Sequence, residues 1–307
     1  MRAITDLPRT GGSANRRFFQ TDGGAALVLL APMVLLFLCA VVYPLIDTIR
    51  LSFFDIRGLA PAKWVGLSNY ANLLADASFR VAVITTLVWT VGTTALSVGI
   101  GWGLAVLCSL APRTTLPFRV MIFCAYGIAE AVSGFIWLGI YRPGDSGLLN
   151  AVLNTLGLEN LTRAWLGDTS TALACLVIAY AWTQVGLPLM TCFASIQTIP
   201  KSIKEAAYID GAKPLSIMRH IILPLSMPGL KVAVFINLLG SLRAFDMIFV
   251  MTGGGPVCST ETVGYFMFRE SMMQFKLGYG AAATVVLLAV VLFVSIPLLR
   301  QRTKEAT

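Results

Sequence analysis

The sequence predicts an all-α membrane protein with six transmembrane helices. Of its 307 residues, 57% are hydrophobic and only 12% are charged, whereas soluble domains carry about 25% charged residues. The mean hydropathy of +0.79 also indicates an integral membrane protein. Six apolar runs each supply the roughly 20 residues that a helix needs to cross a bilayer. These observations together define the predicted fold class.

The predicted spans form one domain, residues 25–299, with a polar tail of residues 1–24 before it and a tail of residues 300–307 after it. The second run has about 30 residues, so we expect its helix to be tilted or to extend beyond the bilayer. Pro188 predicts a kink in the fourth span. The six predicted spans are Ala25–Ile46, Val81–Leu110, Met121–Tyr141, Thr171–Ile199, Met227–Val250 and Gly278–Leu299.

The distribution of basic residues predicts the orientation of the chain. Lys and Arg accumulate in the cytoplasmic segments of membrane proteins. If the N-terminus is cytoplasmic, the segments on that side hold more Lys and Arg than the opposite segments, although they are shorter in total. The sequence therefore predicts that both termini, and the loop between the fourth and fifth spans, lie in the cytoplasm.

Several classes of function are not expected. The net charge of +8 is spread along the chain without the basic and aromatic clusters of nucleic-acid-binding proteins. Five of the six cysteines lie in apolar runs and none has C-x-x-C spacing, which indicates packing rather than a disulfide framework or a metal site. No G-x-x-x-x-G-K-S/T segment is present, so the chain encodes no ATPase. The single histidine, His220, has no catalytic partners, and we expect no catalytic residues.

The loop at residues 200–225 is unusually polar for this chain and predicts two short helices. Ser202 and Glu205 match the S-x-x-E capping box, which predicts a helix starting at Ser202. Gly211 is suited to end that helix, Pro214 to begin a second one, and Pro224 to stop the second before the next span. The residues alone leave two interpretations open: a rigid knob for a protein partner, or an amphipathic helix on lipid headgroups.

A resemblance to a known family enters at this loop. The sequence E-A-A at Glu205–Ala207, followed by Gly211 and I-I-L-P at Ile221–Pro224, resembles the EAA loop of ABC importer permeases. Nearly the whole chain is similar to carbohydrate-uptake permeases of the maltose-transporter type and to the glycerol-3-phosphate permease branch. Further matching stretches are YPLIDTIRLSFFD at Tyr43–Asp55, WVGLSNYANLL at Trp64–Leu74, FIWLGIYRPGDSGLLN at Phe135–Asn150 and FDMIFVMTGGGP at Phe245–Pro256.

The resemblance implies a type I ABC importer permease fold in a bacterial inner membrane, with short cytoplasmic coupling helices between spans four and five. In that family the loop helix inserts into a cytoplasmic ATPase subunit, and closure of the ATPase dimer drives the spans between inward-facing and outward-facing states. Glu205 would pair with a basic residue of the ATPase. The coupling residues implied in this chain are Glu205, Ala206, Ala207, Asp210 and Gly211, supported by Leu223 and Pro224.

The resemblance also implies the partners. These are a second homologous permease subunit, two cytoplasmic ATPase subunits that use ATP and Mg, an extracytoplasmic solute-binding protein, and the surrounding membrane lipid. The chain itself is expected to bind no cofactor and to act as a transport subunit rather than an enzyme.

Ionisable groups within spans are costly and usually functional. Glu130 lies among small residues in the third span, where it would either contact a solute or pair with another side chain. Arg243 and Asp246 are three residues apart in the fifth span, which predicts an ion pair at an outer gate. The remaining candidates for the solute path are Tyr180, Trp182, Gln184, Asn237 and Ser241.

The solute class stays open at this point. The resemblance favours a sugar, with glycerol 3-phosphate or a glycerophosphodiester as the alternative. Pairing of Arg243 with Asp246 would favour a neutral sugar, whereas an Arg243 that faces the cavity would favour an anion. A proton-coupled secondary transporter with Glu130 as the proton carrier is an alternative of another class. A membrane-embedded enzyme is disfavoured by the lack of a catalytic constellation.

Overall fold

The structure is a computed structural model that describes the backbone of residues 22–305 and the side chains of residues 29–296. Most of the predicted N-terminal tail lies outside the described residues. The last helix continues from Leu277 to Glu305, so it passes the predicted boundary at residue 299 without a break.

The described chain is almost entirely helical, with one two-stranded antiparallel hairpin of β1 (Phe54–Asp55) and β2 (Lys63–Trp64). Short 3-10 and π-helical turns connect some of the helices. The α-helices, in chain order, are α1 (Asp22–Phe37), α2 (Tyr43–Leu51), α3 (Ser68–Ala75), α4 (Ala77–Leu110), α5 (Leu116–Tyr126), α6 (Glu130–Ile140), α7 (Leu148–Thr155), α8 (Ala172–Gln184), α9 (Gly186–Gln197), α10 (Lys201–Ile209), α11 (Pro214–Ile217), α12 (Leu223–Leu225), α13 (Met227–Leu242), α14 (Asp246–Met251), α15 (Val263–Phe268) and α16 (Leu277–Glu305).

Within the described part of the chain, three helices are long and apolar enough to cross a bilayer, and three bent helix pairs raise that number to as many as six. The continuous candidates are Leu29–Leu51, Ala77–Leu110 and Leu277–Ile296. They correspond to the predicted first, second and sixth spans. The predicted third, fourth and fifth spans are not single straight helices.

The third predicted span, Met121–Tyr141, was expected to be continuous, and this prediction is wrong. Helix α5 ends at Tyr126, α6 begins at Glu130, and the two helices meet at 101°. Gly127 occupies the C-cap of α5. Glycine is less favourable inside a helix than most other residues, so a helix commonly ends where glycine occurs. Glu130 is therefore at the start of a helix rather than in the middle of one.

The predicted kink in the fourth span is confirmed. Helices α8 and α9 meet at 48° around Val185. Pro188 lacks an N–H, and its ring conflicts with the carbonyl four residues earlier, which belongs to Gln184, the last residue of α8. The bend therefore lies one turn before the proline.

The fifth predicted span, Met227–Val250, is interrupted once. It is preceded by a 69° bend at Ser226, whose buried hydroxyl accepts a hydrogen bond from Trp102 Nε1 at 3.1 Å. Helix α13 then ends at Leu242, and α14 begins only at Asp246. The prediction of one continuous helix is thus wrong in its second half.

The second helix of the loop ends next to Pro224 and before the fifth span, as predicted. The chain passes from α11 through a π-helical turn, Met218–Ile222, and the helix ends at Leu225, one residue after Pro224. The wider π turn accommodates the missing N–H of Pro224 within the last turns. The same arrangement occurs in the first span, where a π turn, Leu38–Val42, directly precedes Tyr43 and Pro44.

Three apolar cores lie in the described part of the molecule. The loop-side core contains the buried residues of α9, α11 and the first part of α13, among them Leu189 and Ile217. The far core contains residues of α8 and α14, among them Tyr180 and Met247. The third joins the start of α4 to α15 and α16. Helix α4 contributes to all three cores, and the bend between α8 and α9 separates the far core from the loop-side core.

Helix α9 packs at backbone distance against α4 and α13. A Cβ added at Gly101 of α4 would lie 2.5 Å from Pro188 Cβ and 2.9 Å from Leu189 N. One added at Gly229 of α13 would lie 2.6 Å from Thr191 O. Small residues at helix crossings permit this approach and supply much of the packing energy between helices in membranes.

This contact generates a stability prediction. Replacing Gly101 with Val places side-chain atoms inside the α9 backbone, so we expect destabilisation of about 1–3 kcal/mol. Gly99, on the same helix, has open space where its Cβ would be, and Gly99→Val is the matched control. Thermal unfolding of the detergent-solubilised protein measures both variants. Equal unfolding temperatures for the two would contradict the packing described here.

Candidate functional site

The loop helix α10, Lys201–Ile209, does not start at Ser202 as predicted. Its N-cap is Pro200, whose extended ψ of 137° ends the preceding turn, and no side chain caps the helix. The first turn closes through the N–H of Ile203, which donates to Pro200 O at 3.2 Å. Ser202 therefore lies within the helix, and the capping box does not form. Glu205 lies in the second turn.

The C-terminal end of α10 is as predicted. Gly211 has φ +77°, a left-handed conformation that glycine adopts without steric cost. Its N–H donates to Tyr208 O at 3.1 Å, and the N–H of Ala212 donates to Ala207 O at 2.9 Å. These two bonds form a Schellman motif, which satisfies the last carbonyls of the helix and fixes the direction in which the chain leaves it.

One face of the loop helix is anchored and the other is exposed. Ala207 and Ala212 pack against the loop-side core. On the other side Glu205, Ala206 and Asp210 are exposed. The exposed apolar side chains on and next to the helix are Ile203, Tyr208, Ile209 and Leu215, with 40%, 55%, 86% and 69% of their surface accessible.

The segment after the loop helix secures it to the bundle. Ile217 and Ile222 are buried in the loop-side core. Leu223 is half-buried and lines a groove of about 290 Å³ against α4, whereas Pro224 is exposed. Of the predicted coupling residues, the structure thus groups Glu205, Ala206 and Asp210 on one accessible surface and assigns Ala207 and Leu223 to its support.

A second group of predicted residues comes together near the helix breaks. Glu130, at the start of α6, lies within electrostatic range of Arg243, Asp246 and Tyr180. These four side chains, here called the polar cluster, come from α6, α8, α14 and the C-cap of α13. Three of them lie at a helix end, and Tyr180 lies one turn before the end of α8.

The helix ends explain how these charges are accommodated. Glu130 and Asp246 occupy the first turns of α6 and α14, and Arg243 is the C-cap of α13. Acidic groups near helix N-termini and basic groups near C-termini are favoured by the helix dipole. Each charge therefore complements the end of its own helix.

The predicted ion pair between Arg243 and Asp246 is not formed. The described residues include five salt bridges, and none of them involves Arg243 or Asp246. The physical reason is the break in the fifth span, since the two residues flank an irregular segment and are not one helical turn apart. Both side chains are exposed within this subunit.

Tyr180, Trp182 and Gln184 occupy three different environments on α8. Tyr180 is only 1% exposed and its ring packs on that of Trp89 at a centroid distance of 4.9 Å. Trp182 points away from the polar cluster and lines an apolar groove of about 530 Å³ with Trp137. Gln184 is half-buried at the last residue of α8.

Asn237 and Ser241 hold α13 against α4 and do not line an open path in this subunit. They are 4% and 2% exposed. Ser97 Oγ donates to Asn237 Oδ1 at 2.9 Å, and Trp89 Nε1 donates to Ser241 O at 3.1 Å. The hydrogen bonding of α4 to α13 was not predicted from the sequence. The repeated Thr and Ser residues at helical spacing in that span indicate such a polar face.

The sequence analysis also missed an ionic network near the start of the last helix. Arg269 bridges Glu261 at 2.7 Å and Glu270 at 3.2 Å, and Lys276 bridges Glu270 at 3.0 Å. Glu261 is 1% exposed and its Oε1 has no partner among the described residues. Burial raises the pKa of Glu261, and the Arg269 guanidinium opposes that rise.

Asp76 ties the start of α4 to the start of α16. Its Oδ2 accepts a hydrogen bond from the Tyr279 hydroxyl at 2.8 Å, and its Oδ1 accepts one from Ser78 N at 2.8 Å. Burial works against ionisation, but these hydrogen bonds outweigh it and lower the pKa of Asp76 below its ordinary value of 3.8. The ionised carboxylate therefore stabilises the fold.

Comparison with known families decides what kind of protein this is. Residues 25–305 match the model of the family described as binding-protein-dependent transport system inner membrane component. The chain belongs to this family. It is thus a permease subunit of a binding-protein-dependent ABC importer, an integral inner-membrane component.

Named relatives of this permease transport several solutes. The probable ABC transporter permease protein YurN of Bacillus subtilis is 33% identical, over 85% of this chain and 90% of its own. The sulfoquinovosyl glycerol transport system permease protein SmoG of Agrobacterium fabrum is 32% identical, over 91% of both chains. The sn-glycerol-3-phosphate transport system permease protein UgpA of Brucella abortus is 32% identical, over 86% of this chain and 89% of its own.

Solved structures show the same fold. A bacterial ABC transporter involved in import of the acidic polysaccharide alginate superimposes with a TM-score of 0.73 at 20% identity, covering 93% of this chain and 98% of the other. The alginate transporter in complex with a pentasaccharide-bound periplasmic protein gives a TM-score of 0.75 at 18% identity, covering 90% and 94%. The permease therefore has the helical type I ABC importer fold. Its family is one of ATP-driven importers, so the proton-coupled alternative based on Glu130 is not retained.

The Asp76–Tyr279 hydrogen bond generates a pH prediction. Because folding lowers the pKa of Asp76, its contribution to stability is present above about pH 4 and is lost as the pH falls through the folded-state pKa. We expect Tyr279→Phe to lower the unfolding temperature at neutral pH, and the difference from wild type to shrink on acidification. Thermal unfolding in detergent between about pH 6 and pH 2.5 measures this.

A matched control for that series is Tyr70→Phe. The Tyr70 hydroxyl hydrogen-bonds Ser52 Oγ at 2.6 Å, so its loss involves no carboxylate. Its destabilisation should not depend on pH over the same interval. If both variants show the same pH dependence, Asp76 is not the responsible group.

Proposed function

We propose that this permease forms half of the translocation path for a sugar or sugar-like solute and couples to a cytoplasmic ATPase through residues 200–225. The ATPase supplies ATP hydrolysis and Mg, and an extracytoplasmic solute-binding protein delivers the solute. In this arrangement both termini and the loop helix are cytoplasmic, and the chain spans the inner membrane six times, counting each bent pair as one span.

The observation that carries the coupling role is the form of the loop helix. It is short, capped at Gly211 and fixed to the loop-side core through Ala207, so a force on it reaches the bundle directly. Its free surface combines the exposed carboxylates of Glu205 and Asp210 with the exposed Ile209. Apolar surface rimmed by charge is typical of protein interaction sites, which favours a protein partner over lipid headgroups.

A second permease subunit is supported by two charges near the end of the fifth span, because Arg243 and Asp246 are exposed in the single subunit. Such charges within a membrane need a protein neighbour or a water-filled cavity. A homologous subunit would enclose a path between the two chains.

The polar cluster favours a neutral polyol. It combines the carboxylates of Glu130 and Asp246 with the guanidinium of Arg243 and the hydroxyl of Tyr180. Carboxylates accept strong hydrogen bonds from hydroxyl groups, and a guanidinium donates them. Two acidic groups and one basic group also give a local charge that attracts an anion poorly. The sugar-derived solute named for the SmoG relative is consistent with a polyol-binding site.

An anionic solute such as glycerol 3-phosphate or a glycerophosphodiester is the second candidate. The observation in its favour is that Arg243 has no salt-bridge partner among the described residues. The UgpA relatives are named for glycerol 3-phosphate transport. In this case Arg243 would bind the phosphate, and Glu130 would lower the affinity rather than raise it.

The coupling role is tested at Gly211. Its Cβ would meet open space, so a substitution acts only through the backbone conformation. Val disfavours φ +77°, and we expect Gly211→Val to lower solute uptake per ATP at least tenfold, since a strained cap costs about 1–3 kcal/mol. The measurement is uptake and ATP hydrolysis by proteoliposomes that contain both permeases, the ATPase and the binding protein.

Gly211→Asn is the matched control, because asparagine tolerates the left-handed conformation. It should retain most of the coupled uptake. Full coupled uptake by the Val variant would show that the geometry of this cap is not needed for coupling. Failure of the wild-type complex to import any solute in an ATP-dependent manner would overturn the importer assignment for this assembly.

The solute class is tested at Glu130. For a neutral polyol, Glu130→Gln removes a charge-assisted hydrogen bond worth about 1.5–3 kcal/mol, so we expect the KM for uptake to rise at least about tenfold. For an anion, the same change removes a repulsive charge and the KM should fall. Competition by neutral sugars and by glycerophosphodiesters is measured in the same proteoliposomes, with Glu159→Gln in an outer loop as the control.

A further inference from the structure

Arg119 is a buried cation without a carboxylate partner. It lies in the first turns of α5 and is 8% exposed. Its guanidinium carbon lies 3.8 Å from the centroid of the Phe193 ring, and its Nη2 donates to Pro112 O at 2.7 Å. Its Nε is buried and has no hydrogen-bond partner among the described residues.

This arrangement is a poor way to stabilise a helix bundle. A buried charge is costly unless it is paired and fully hydrogen-bonded. Stacking on an aromatic ring and one hydrogen bond to a carbonyl oxygen offset only part of the cost of burying the charge. An apolar side chain of similar length would fill the same space without leaving a donor unsatisfied. The residue is therefore better explained by a role in the working of the protein than by stability.

The position of Arg119 suggests what that role is. Phe193 lies on α9, which leads through Pro200 directly into the loop helix. Arg119 lies on α5, which ends at the break before Glu130. The guanidinium therefore joins the helix that supports the loop helix to the helix that leads to the polar cluster.

The next turn of α5 is also in close contact with the first residue of α9. A Cβ added at Gly186, the first residue of α9, would lie 2.9 Å from Phe123 Cα and 3.0 Å from Ile122 O. The two helices thus touch at backbone distance near the break and are joined by the Arg119–Phe193 stack near the loop helix. Two separated contacts prevent one helix from rotating about the other.

We propose that Arg119 is a positioning residue that makes α5 move together with α9, so that displacement of the loop helix changes the geometry around Glu130. This inference rests on the proposed coupling role of residues 200–225. The planar guanidinium of Arg119 stays stacked on Phe193 while α9 shifts. After the shift, the unsatisfied Nε of Arg119 can donate a hydrogen bond to a different carbonyl. The contact transmits movement and does not touch solute or ATPase.

The test compares Arg119→Met, which keeps the length and apolar volume, with Arg119→Lys, which keeps the charge but not the planar stack. Both are measured in the full complex with the second permease, the ATPase and the binding protein. We expect both variants to assemble and to hydrolyse ATP, while solute imported per ATP falls about tenfold, the size of a lost cation–π contact of roughly 1–2 kcal/mol. Phe193→Leu should reproduce this loss, because it removes the other half of the stack.

Arg113→Met is the control, since Arg113 is an exposed arginine in the short loop that precedes α5. A merely structural role for Arg119 would lower the amount of assembled complex or its unfolding temperature and leave the ratio of import to hydrolysis at the wild-type value. That result, or an unchanged ratio in a stable Arg119→Met complex, would overturn the inference. A wild-type complex without ATP-dependent import would instead overturn the proposed function, so the two failures are distinguishable.

Discussion

The close packing of α9 against its neighbours is the contact on which the rest of the structure depends. Gly101 and Gly229 bring α4 and α13 to the backbone of α9, and Gly186 brings α9 to the backbone of α5. In a membrane, lipid is as apolar as the side chains, so van der Waals contact of this kind has to provide much of the association energy. The loop helix follows α9 after three residues, so the exposed surface of the loop helix is attached to a helix that packs closely on three neighbours.

Two helix breaks, between α5 and α6 and between α13 and α14, place charges where the bundle tolerates them. Glu130, Arg243 and Asp246 each lie at the helix end whose dipole favours their sign. The break residues themselves are satisfied by turns and by neighbouring side chains, as backbone inside a membrane protein requires. The polar cluster thereby lies beside the far core, without an ion pair among the residues that the structure describes.

Much of the architecture could be predicted from sequence because it depends on local properties. Apolar runs predicted the long helices, Pro188 predicted the kink in the fourth span, and Gly211 predicted the C-cap of the loop helix. The breaks at residues 127–129 and 243–245 escaped prediction because most of the residues there are apolar, so hydropathy continues across them. The capping box at Ser202 failed because Pro200 ends the preceding turn two residues earlier.

Other features could not be predicted because they join distant parts of the chain. Ser97 meets Asn237 across 140 residues, and Tyr279 meets Asp76 across 203. Nothing in the local sequence around either member of a pair specifies the other. The candidate site divides along the same line: the loop helix was visible in its own residues, whereas the convergence of Glu130 with Tyr180 and Arg243 required the fold.

The first span has a consequence for how the subunit enters the bilayer. With a mean hydropathy of 2.6 and no buried surface in its apolar window, the helix Leu29–Leu51 needs no protein neighbour to partition into lipid. The bent pairs, which carry Glu130 and Arg243, are poor candidates for independent insertion because isolated charges in hydrocarbon are costly. The first span can therefore enter lipid by itself, whereas the charged segments need neighbouring protein or water.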